Sequence, residues 1–405
     1  MPGIVPRGCY YPSVNPPSYA REDLLKAVHA LAPALRAAAD ETESRRSLTE
    51  PLVQAMVDAG LYRMFLPKSL GGGEVEPRTY FDVMEALAQA DSTAGWSVLI
   101  STSTMTSTVR GLTDEALAAM LTEPRQAVMF GSGVPRGRAV RVPGGYRLSG
   151  AWTQGSNILI AAWAHVSAHV YDGDTKRLDA DGKPFYVACA VPASAAVVKD
   201  TWHTTGMRGT GSHDYSMTDV FVPDERVHGP VDRSPHRPEP LYQFAMWTHV
   251  AHAAHAVGIA RAALEEFIAF AGGKQATWHA SEGRLAARTT IQAKVAQAEA
   301  LVGAARAYMV SALDDTWATV SRGAWPSPEQ RASFRLAVAH AMDNCVQAVD
   351  LVYNIGGATA IYAASRLDRC LRDIHTAAAH VWVAPDTYEL AGRLLLGLDP
   401  GSATI

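Results

Sequence analysis

The pattern of apolar positions divides the chain into a helical part, a strand-rich part and a second helical part. Between about residues 19 and 125, apolar residues recur every three to four positions, which is typical of amphipathic helices. The clearest run consists of Leu24, Ala27, Leu31 and Leu35. Asp91 and Ser92 precede a later run and predict the start of another helix, because short polar side chains accept hydrogen bonds from the first free N–H groups.

The pattern changes over residues 126–232. Short β-branched and aromatic runs, such as Ala188–Val191 and Val220–Val222, alternate with turn sequences. This alternation predicts an antiparallel β domain. From residue 233 to 405, long alanine-rich patterns predict four helices, at about 242–272, 285–322, 328–354 and 366–396. The fold class is therefore α+β, with an N-terminal helical domain, a central β domain and a C-terminal four-helix bundle.

Composition narrows the class of protein. The chain has 405 residues, of which 48% are apolar and 19% charged, so it can bury a large core and is not a disordered protein. A net charge of −4 argues against a nucleic-acid-binding protein. No apolar run is long enough to span a membrane. Residues 1–18 contain five prolines and no apolar core of a secretion signal, and they predict a flexible arm.

Several kinds of site are excluded by motif. The four cysteines show no metal or redox spacing, which favours a reducing cytoplasm. The glycine-rich stretches at 131–133 and 209–211 do not complete a dinucleotide fingerprint, and there is no P-loop. His249, His252 and His255 lie three residues apart, but the outer two are about 120° apart on a helix. No acidic residue completes a metal set, so these histidines are interpreted as polar residues near a pocket or interface.

Three segments, in their order and spacing, resemble the acyl-CoA dehydrogenase superfamily over nearly the whole chain. The first is Phe65–Lys68 with the glycines that follow it. The second is Thr204–Ser212, which precedes Val220–Pro223. The third is Asn354–Gly357, followed by Leu371–Asp373. The resemblance implies the same three-part fold and a flavin site.

The superfamily contains dehydrogenases and a branch of flavin-dependent monooxygenases. A dehydrogenase needs a carboxylate base to remove an α-proton. The two family positions for that base correspond to Thr248 and Val381 in this chain, and neither is acidic. The segment Arg372–His380 and the tail from Pro385 to Pro400 instead resemble the monooxygenase branch, in which the oxygenase belongs to a two-component system.

The resemblance implies a reduced-flavin-dependent monooxygenase. Such an enzyme inserts one oxygen atom from dioxygen into a small substrate, by C-hydroxylation or N-oxidation, through a flavin hydroperoxide. An aromatic or natural-product substrate is favoured. Reduced FMN or FAD would arrive by diffusion from a separate NAD(P)H-flavin reductase, and the oxygenase would be a homotetramer.

The resemblance also assigns residues near the flavin. His380 matches the branch's histidine, which activates the substrate as a base or holds and protonates the peroxide. Ser156 matches the residue that donates to the flavin's central ring, and Trp202 matches a tryptophan beside the cofactor. Gln154 stands where relatives usually have an aromatic residue. The remaining cofactor candidates are Asn354, Gly356, Gly357 and Arg284, while Ser281 replaces the arginine with which dehydrogenases hold tightly bound FAD.

The expected substrate pocket is formed by Trp96, Ser101, Thr104, Gln154, His249 and His252. Relatives often carry a histidine on the third helix, where this chain has only Ser and Thr hydroxyls, so a single-base mechanism through His380 is favoured. Two alternatives remain open. One is a dehydrogenase or oxidase with an unrecognised base. The other is a member of the fold that binds a ligand without redox chemistry or has been recruited to a different reaction.

Overall fold

The computed structural model describes residues 17–230, 234–273 and 284–399. Nearly all of the predicted N-terminal arm lies outside these residues. Six helices form the first part of the chain: α1 (Arg21–Ala37), α2 (Ala39–Arg45), α3 (Glu50–Asp58), α4 (Pro77–Ala90), α5 (Ser92–Gly111) and α6 (Asp114–Met120). The Asp91 carboxylate accepts the backbone N–H of Ala94 at 2.8 Å, as the capping pattern predicted.

A sheet fills the middle of the chain. Its strands are β1 (Met129–Val142), β2 (Gly145–Gly155), β3 (Trp163–Asp172), β4 (Thr175–Lys176), β5 (Tyr186–Pro192), β6 (Val197–Lys199), β7 (His213–Pro223) and β8 (Val227–His228). The strand order is β6-β7-β2-β1-β3-β5-β8, with β4 beside β3. The prediction of an antiparallel domain was wrong in one respect, because β1 and β3 pair in parallel and the sheet is mixed. Alternation of side chains is the same in both kinds of pair, so the sequence could not distinguish them.

The third part is helical again. Its helices are α7 (Pro240–Gln243), α8 (Val250–Gly273), α9 (Thr289–Ser321), α10 (Pro328–Gly356), α11 (Arg366–Ala377) and α12 (Asp386–Leu395). The fourth long helix that was expected over 366–396 is interrupted, because residues after Ala377 form a short turn capped by His380. Across the described residues, no helix is both long and apolar enough to cross a membrane.

Close packing of α4, α5 and α8 positions the candidate site. A Cβ atom at Gly258 would lie 2.4 Å from the carbonyl oxygen of Glu85 and 2.7 Å from Cβ of Ala88. A Cβ atom at Gly95 would lie 3.0 Å from the same alanine. These small residues let the helix backbones approach closely, and the neighbouring Trp96 therefore reaches side chains of α8.

Candidate active site

Trp96 lies at the centre of a ring cluster between α5, α8 and the turn after α11. Three imidazoles surround its buried indole edge-on, those of His252, His255 and His380, with ring centroids 5.5, 5.4 and 5.6 Å away. The Nε1–H of Trp96 donates to the hydroxyl of Ser156 at 3.1 Å. One rigid side chain of α5 therefore joins the helical bundle to the sheet.

His380 begins the turn that follows α11. Its Nδ1 accepts the backbone N–H of Trp382 at 3.4 Å. Its ring stacks on that of His252, with centroids 4.4 Å apart and planes inclined by 29°. Burial lowers the pKa of His380 to about 4, so the imidazole is neutral at pH 7. The tautomer that preserves this cap carries its proton on Nε2.

The other histidines of the cluster lie on or just before α8, and burial keeps them neutral as well. Burial lowers the pKa of His249 to about 3 and that of His255 to about 4. It lowers the pKa of His252 well below its ordinary value. The Nε2–H of His255 donates to the carbonyl of Ser92 at 2.8 Å, which ties α8 to the start of α5. Among the described residues, no group of three or more His, Cys, Asp or Glu side chains could hold a metal ion.

An irregular end of the β2–β7 ladder presents Ser156 to this cluster. Gln154 has a left-handed φ of +60°, and the backbone N–H of Ser156 donates to its carbonyl at 2.9 Å. Asn157 follows, and its side-chain NH₂ donates to the carbonyl of Ser97 at 2.8 Å. The turn is thus fixed to α5.

A chain of buried hydroxyls extends from Ser156. Its Oγ lies 2.6 Å from Oγ of Ser212, which lies 2.7 Å from Oγ1 of Thr210. The Thr210 hydroxyl donates to the carbonyl of Met207 at 2.9 Å. The indole Nε1–H of Trp202 donates to the same carbonyl at 3.0 Å. The segment 202–212 is therefore connected to Ser156 through hydrogen bonds rather than through a direct ring contact.

Asp373 holds this segment against α11. Its buried carboxylate accepts the backbone N–H of Met207 at 2.6 Å and the hydroxyl proton of Ser92. Burial raises the pKa of the Asp373 carboxyl to about 6, although the two hydrogen bonds act in the opposite direction. Gly206 is required beside it, because a Cβ atom there would lie 1.9 Å from the carbonyl oxygen of Arg372. Both carboxylate oxygens accept hydrogen bonds from the fold, so this residue holds structure.

Two family models match the chain. The model of the acyl-CoA dehydrogenase N-terminal domain matches residues 20–123, and that of the C-terminal domain matches residues 250–385. The chain belongs to the acyl-CoA dehydrogenase family. The resemblance drawn from the sequence motifs is thereby confirmed, as is the three-part fold that it implied.

Curated relatives and solved structures place the chain within the family's flavin-dependent monooxygenase branch. It is 29% identical to the indole-3-acetate monooxygenase of Pseudomonas putida, over 90% of this chain and 91% of that one. It is 26% identical to the flavin-dependent monooxygenase oxygenase subunit HsaA of Mycobacterium tuberculosis, over 95% and 98%. The structure of XiaF from Streptomyces sp. in complex with FADH2 and glycerol is similar with a TM-score of 0.86 and 27% identity, covering 95% of this chain and 98% of that one.

The ring cluster of this family member has groups that suit a flavin. Ser156 accepts one hydrogen bond from Trp96 and contacts Ser212, which leaves one hydrogen-bonding position on its hydroxyl for a ligand. The buried Nδ1 of His252 has no hydrogen-bond partner among the described residues. Indole and imidazole rings around these polar atoms match a ligand with flat apolar faces and a hydrogen-bonding edge. The donor set therefore fits the cofactor that the fold family implies.

Several predicted residues are brought together by the tertiary structure. His380, His252, Trp96 and Ser156 form one contiguous group. His249 lies at its edge, where its ring centroid is 4.2 Å from that of Trp382.

Other predicted pocket residues have different surroundings. The hydroxyl of Ser101 donates to the carbonyl of Met129 and accepts that residue's N–H, so it joins α5 to β1 and is not available to a substrate. The methyl of Thr104 packs toward Gly131 of β1. Gln154 is exposed, and its contribution is the left-handed backbone before Ser156.

The predicted cofactor-tail residues lie apart from the ring cluster. Asn354 and Gly357 are exposed at the end of α10, whereas Gly356 is buried against Ala360. Arg284 is exposed just before a short helical turn. Ser281 lies outside the described residues. These assignments stay predictions.

Sequence reasoning missed four residues as members of the site: His255, Thr210, Ser212 and Trp382. The i, i+3 spacing of His252 and His255 was a usable signal, because residues three apart share a helix face. No local signal distinguished the hydroxyls of Thr210 and Ser212 within the Thr204–Ser212 segment, because Ser156, the residue that connects them to the site, lies 56 residues from Ser212 in the sequence.

Proposed function

We propose that this protein is a reduced-flavin-dependent monooxygenase that inserts one oxygen atom from dioxygen into a small aromatic substrate. The observation that carries the proposal is the cluster of neutral imidazoles and indoles around the Ser156 hydroxyl. The buried carboxylate of Asp373, which lies nearby, is engaged by two donors. A dehydrogenase needs a free carboxylate base, whereas oxygen transfer needs a dry site with hydrogen-bond donors.

Reduced FMN or FAD would supply the electrons that activate dioxygen. In this proposal, Ser156 and Trp202 lie along its ring system. Asn354, Gly356, Gly357 and Arg284 are the candidates for contacts with its tail. XiaF has been solved with FADH2, and TdsC from Paenibacillus sp. A11-2, a fold neighbour, has been solved with FMN and indole. These complexes support a flavin cofactor, either FMN or FAD.

The chain's own residues have distinct tasks. His380 presents its Nε2–H to the site and there holds an oxygen atom or moves a proton, while its Nδ1 keeps the turn capped. His252 and Trp96 fix the orientation of that ring through stacking and edge contacts. Trp96, Ser156, His252 and His255 are buried, and their burial excludes water that would otherwise compete for the same donors.

The substrate class follows from the uncharged lining. Neutral imidazoles and indoles suit an aromatic ring that carries a hydroxyl or N–H group. Relatives are named for indole-3-acetate and for resorcinol, which supports aromatic C-hydroxylation or N-oxidation here.

The proposed partner is a separate NAD(P)H-flavin reductase. Relatives named as oxygenase subunits or components support this division of labour. A homotetramer and a cytoplasmic location complete the proposal. The described cysteines, Cys189, Cys345 and Cys370, are buried free thiols, which suits a reducing compartment.

Dioxygen uptake tests the proposed function. The purified protein is supplied with reduced FMN or FAD and a panel of phenols and indoles, and oxygenated product is counted per dioxygen consumed. We expect product only when reduced flavin is supplied, and no NADH oxidation by the protein alone. Reduction of bound flavin by an acyl-CoA would favour the dehydrogenase alternative. Turnover without dioxygen would favour a recruited, non-redox member of the fold.

A further inference from the structure

The hydrogen bonds of the hydroxyl chain beside the ring cluster favour one direction. Each hydroxyl carries one proton and two lone pairs, and a carbonyl oxygen only accepts. Thr210 therefore gives its proton to the Met207 carbonyl, 2.9 Å away. In the arrangement that keeps this bond, Ser212 donates to Thr210 and Ser156 donates to Ser212. The proton of Ser156 thus points away from the ring cluster.

The direction decides what Ser156 offers to a ligand. Its oxygen already accepts the indole N–H of Trp96, so a single lone pair remains and no proton. Reduced flavin carries an N–H at N5, whereas oxidised flavin has only a lone pair there. An acceptor at this point matches the reduced form and opposes the oxidised form. In this arrangement, the donor role that the family resemblance implied for Ser156 would be reversed.

We infer that Ser212 and Thr210 are positioning residues that make the site select reduced over oxidised flavin, by holding Ser156 as a hydrogen-bond acceptor. The inference rests on the proposed function, in which Ser156 lies beside the flavin's central ring. Ser156, Ser212 and Thr210 are 5%, 3% and 4% exposed, so water does not replace the missing partner when one hydroxyl is removed.

The preference for reduced flavin is limited in magnitude, because the hydrogen bonds of the hydroxyl chain can reverse their direction. The Met207 carbonyl also accepts the indole N–H of Trp202 at 3.0 Å and the backbone N–H of Thr210 at 3.1 Å. It therefore remains satisfied if the Thr210 hydroxyl turns toward Ser212. Reversal sacrifices about one neutral hydrogen bond, which corresponds to roughly 2- to 10-fold in an equilibrium constant. The chain biases the site by that factor and does not exclude oxidised flavin.

Two substitutions remove the bias by different routes. Ser212→Ala removes the acceptor for the Ser156 proton, which becomes free to face the flavin. Thr210→Val removes the acceptor for Ser212, which can then donate to Ser156. Thr210→Ser keeps the hydroxyl and should keep the bias. Thr204→Val is the matched control, because the Thr204 hydroxyl lies in the same segment but donates to the carbonyl of Gly206 instead.

The measurement is the ratio of two dissociation constants on the full-length protein. FMN and FAD are titrated in oxidised form and, without oxygen, after reduction with dithionite. We expect wild type and Thr210→Ser to favour reduced flavin. Ser212→Ala and Thr210→Val should lower the ratio of oxidised to reduced Kd by roughly 2- to 10-fold. The midpoint potential of bound flavin should change together with this ratio, by about 30 mV for a tenfold change in the ratio of the two Kd values.

The outcomes separate the two proposals. If Ser212→Ala and Thr210→Val fold normally and leave the ratio unchanged, or if Thr204→Val lowers it equally, the hydroxyl chain does not select the redox state. The proposed function would survive that result. If wild-type protein binds neither oxidised nor reduced flavin, the proposed function and this inference both fall.

Discussion

At the scale of single residues, burial decides the chemistry of the histidines. A histidine in water titrates near neutral pH, yet burial lowers the pKa of His380 to about 4. Protonating it at pH 7 therefore costs about 4 kcal/mol. The ring is a neutral hydrogen-bond donor through Nε2, while stacking on His252 fixes its plane. The geometry and the desolvation of His380 therefore favour a role in holding an oxygen atom. They do not favour a permanently protonated, positively charged imidazole.

His380→Asn should separate oxygen transfer from oxygen consumption. Asparagine is a good helix N-cap, so its side chain can still accept the N–H of Trp382 and preserve the turn. We expect product formation to fall by roughly 100-fold or more, with dioxygen diverted to hydrogen peroxide. Product and peroxide are measured per dioxygen consumed. His375→Asn is the control, because His375 is exposed and pairs with Asp350. Wild-type product yield in His380→Asn would remove the catalytic assignment.

At the scale of elements, the segment 204–212 depends on α11 and the start of α5 for its shape. Arg372 of α11 donates to the carbonyl of Thr205 at 2.9 Å and pairs with Glu43 at 3.0 Å. Asp373, the next residue, accepts the N–H of Met207. The Arg-Asp pair that carried the family resemblance therefore acts here as a clamp on a loop whose other end reaches Ser156.

Asp373→Ala should destabilise this clamp more than Asp373→Asn. Alanine leaves the buried N–H of Met207 without an acceptor and opens a cavity, at a cost of about 2–4 kcal/mol in the free energy of unfolding. Asparagine keeps one acceptor oxygen for that N–H, and its NH₂ can donate to the Ser92 hydroxyl, so the loss should be about 1 kcal/mol. Urea denaturation measures both. Equal losses in the two variants would show that the Met207 hydrogen bond contributes little.

A second pair of histidines, between β3 and β8, makes stability depend on pH. His228 donates through Nδ1 to the carbonyl of Gly229 at 2.7 Å, so its Nε2 accepts from His165 Nε2–H at 3.0 Å. Burial lowers the pKa of His165 to about 3, whereas the unfolded chain titrates near 6.5. The unfolded state therefore takes up the proton first as pH falls. The stability present above about pH 6.5 is lost progressively toward pH 3.

His165→Gln should flatten this acid dependence. Glutamine can donate to His228 but does not titrate, so the variant should lose about 1 kcal/mol less than wild type between pH 7.5 and 5.5. Free energies of unfolding at the two pH values supply the comparison. His29→Gln, at an exposed position, controls for removal of a histidine. A difference no larger than that of the control would mean that His165 is protonated in the folded state.

At the scale of the whole molecule, α5 connects the three parts of the chain. It packs against α4 and α8, and its Ser101 bonds to β1. Its Trp96 reaches the sheet's Ser156. Away from α5, the C-terminal bundle has exposed apolar side chains. Ile361 is 63% exposed and Tyr362 is 67% exposed. Leu395 and Leu396 are each 77% exposed.

We expect these apolar surfaces to be buried in a homotetramer, since large exposed apolar patches mark interaction sites. Ile361 lies four residues after Gly357, one of the candidates for contact with the flavin tail. Light scattering at micromolar concentration should give about four times the chain mass. Ile361→Glu should shift the protein toward smaller species, whereas Val197→Glu, on the exposed strand β6, should not. A wild-type monomer would contradict the proposed homotetramer.

The sequence by itself determined the features that depend on local order. Helical and strand periodicities placed the three parts of the chain, and the Asp91 cap followed from residue chemistry. Motif order identified the family and drew attention to His380 and Ser156. These signals are local because 3.6-residue and two-residue periods, turns and caps involve neighbours along the chain.

Only the tertiary structure decided which distant residues meet. Trp96 and Ser156 are 60 residues apart, and Ser92 and Asp373 are 281 apart, yet each pair shares a hydrogen bond. The parallel pairing of β1 with β3 and the contact between Ser156 and Ser212 are likewise properties of packed elements. The histidine pKa values depend on burial that no local pattern specifies, because desolvation is set by every element packed around the ring.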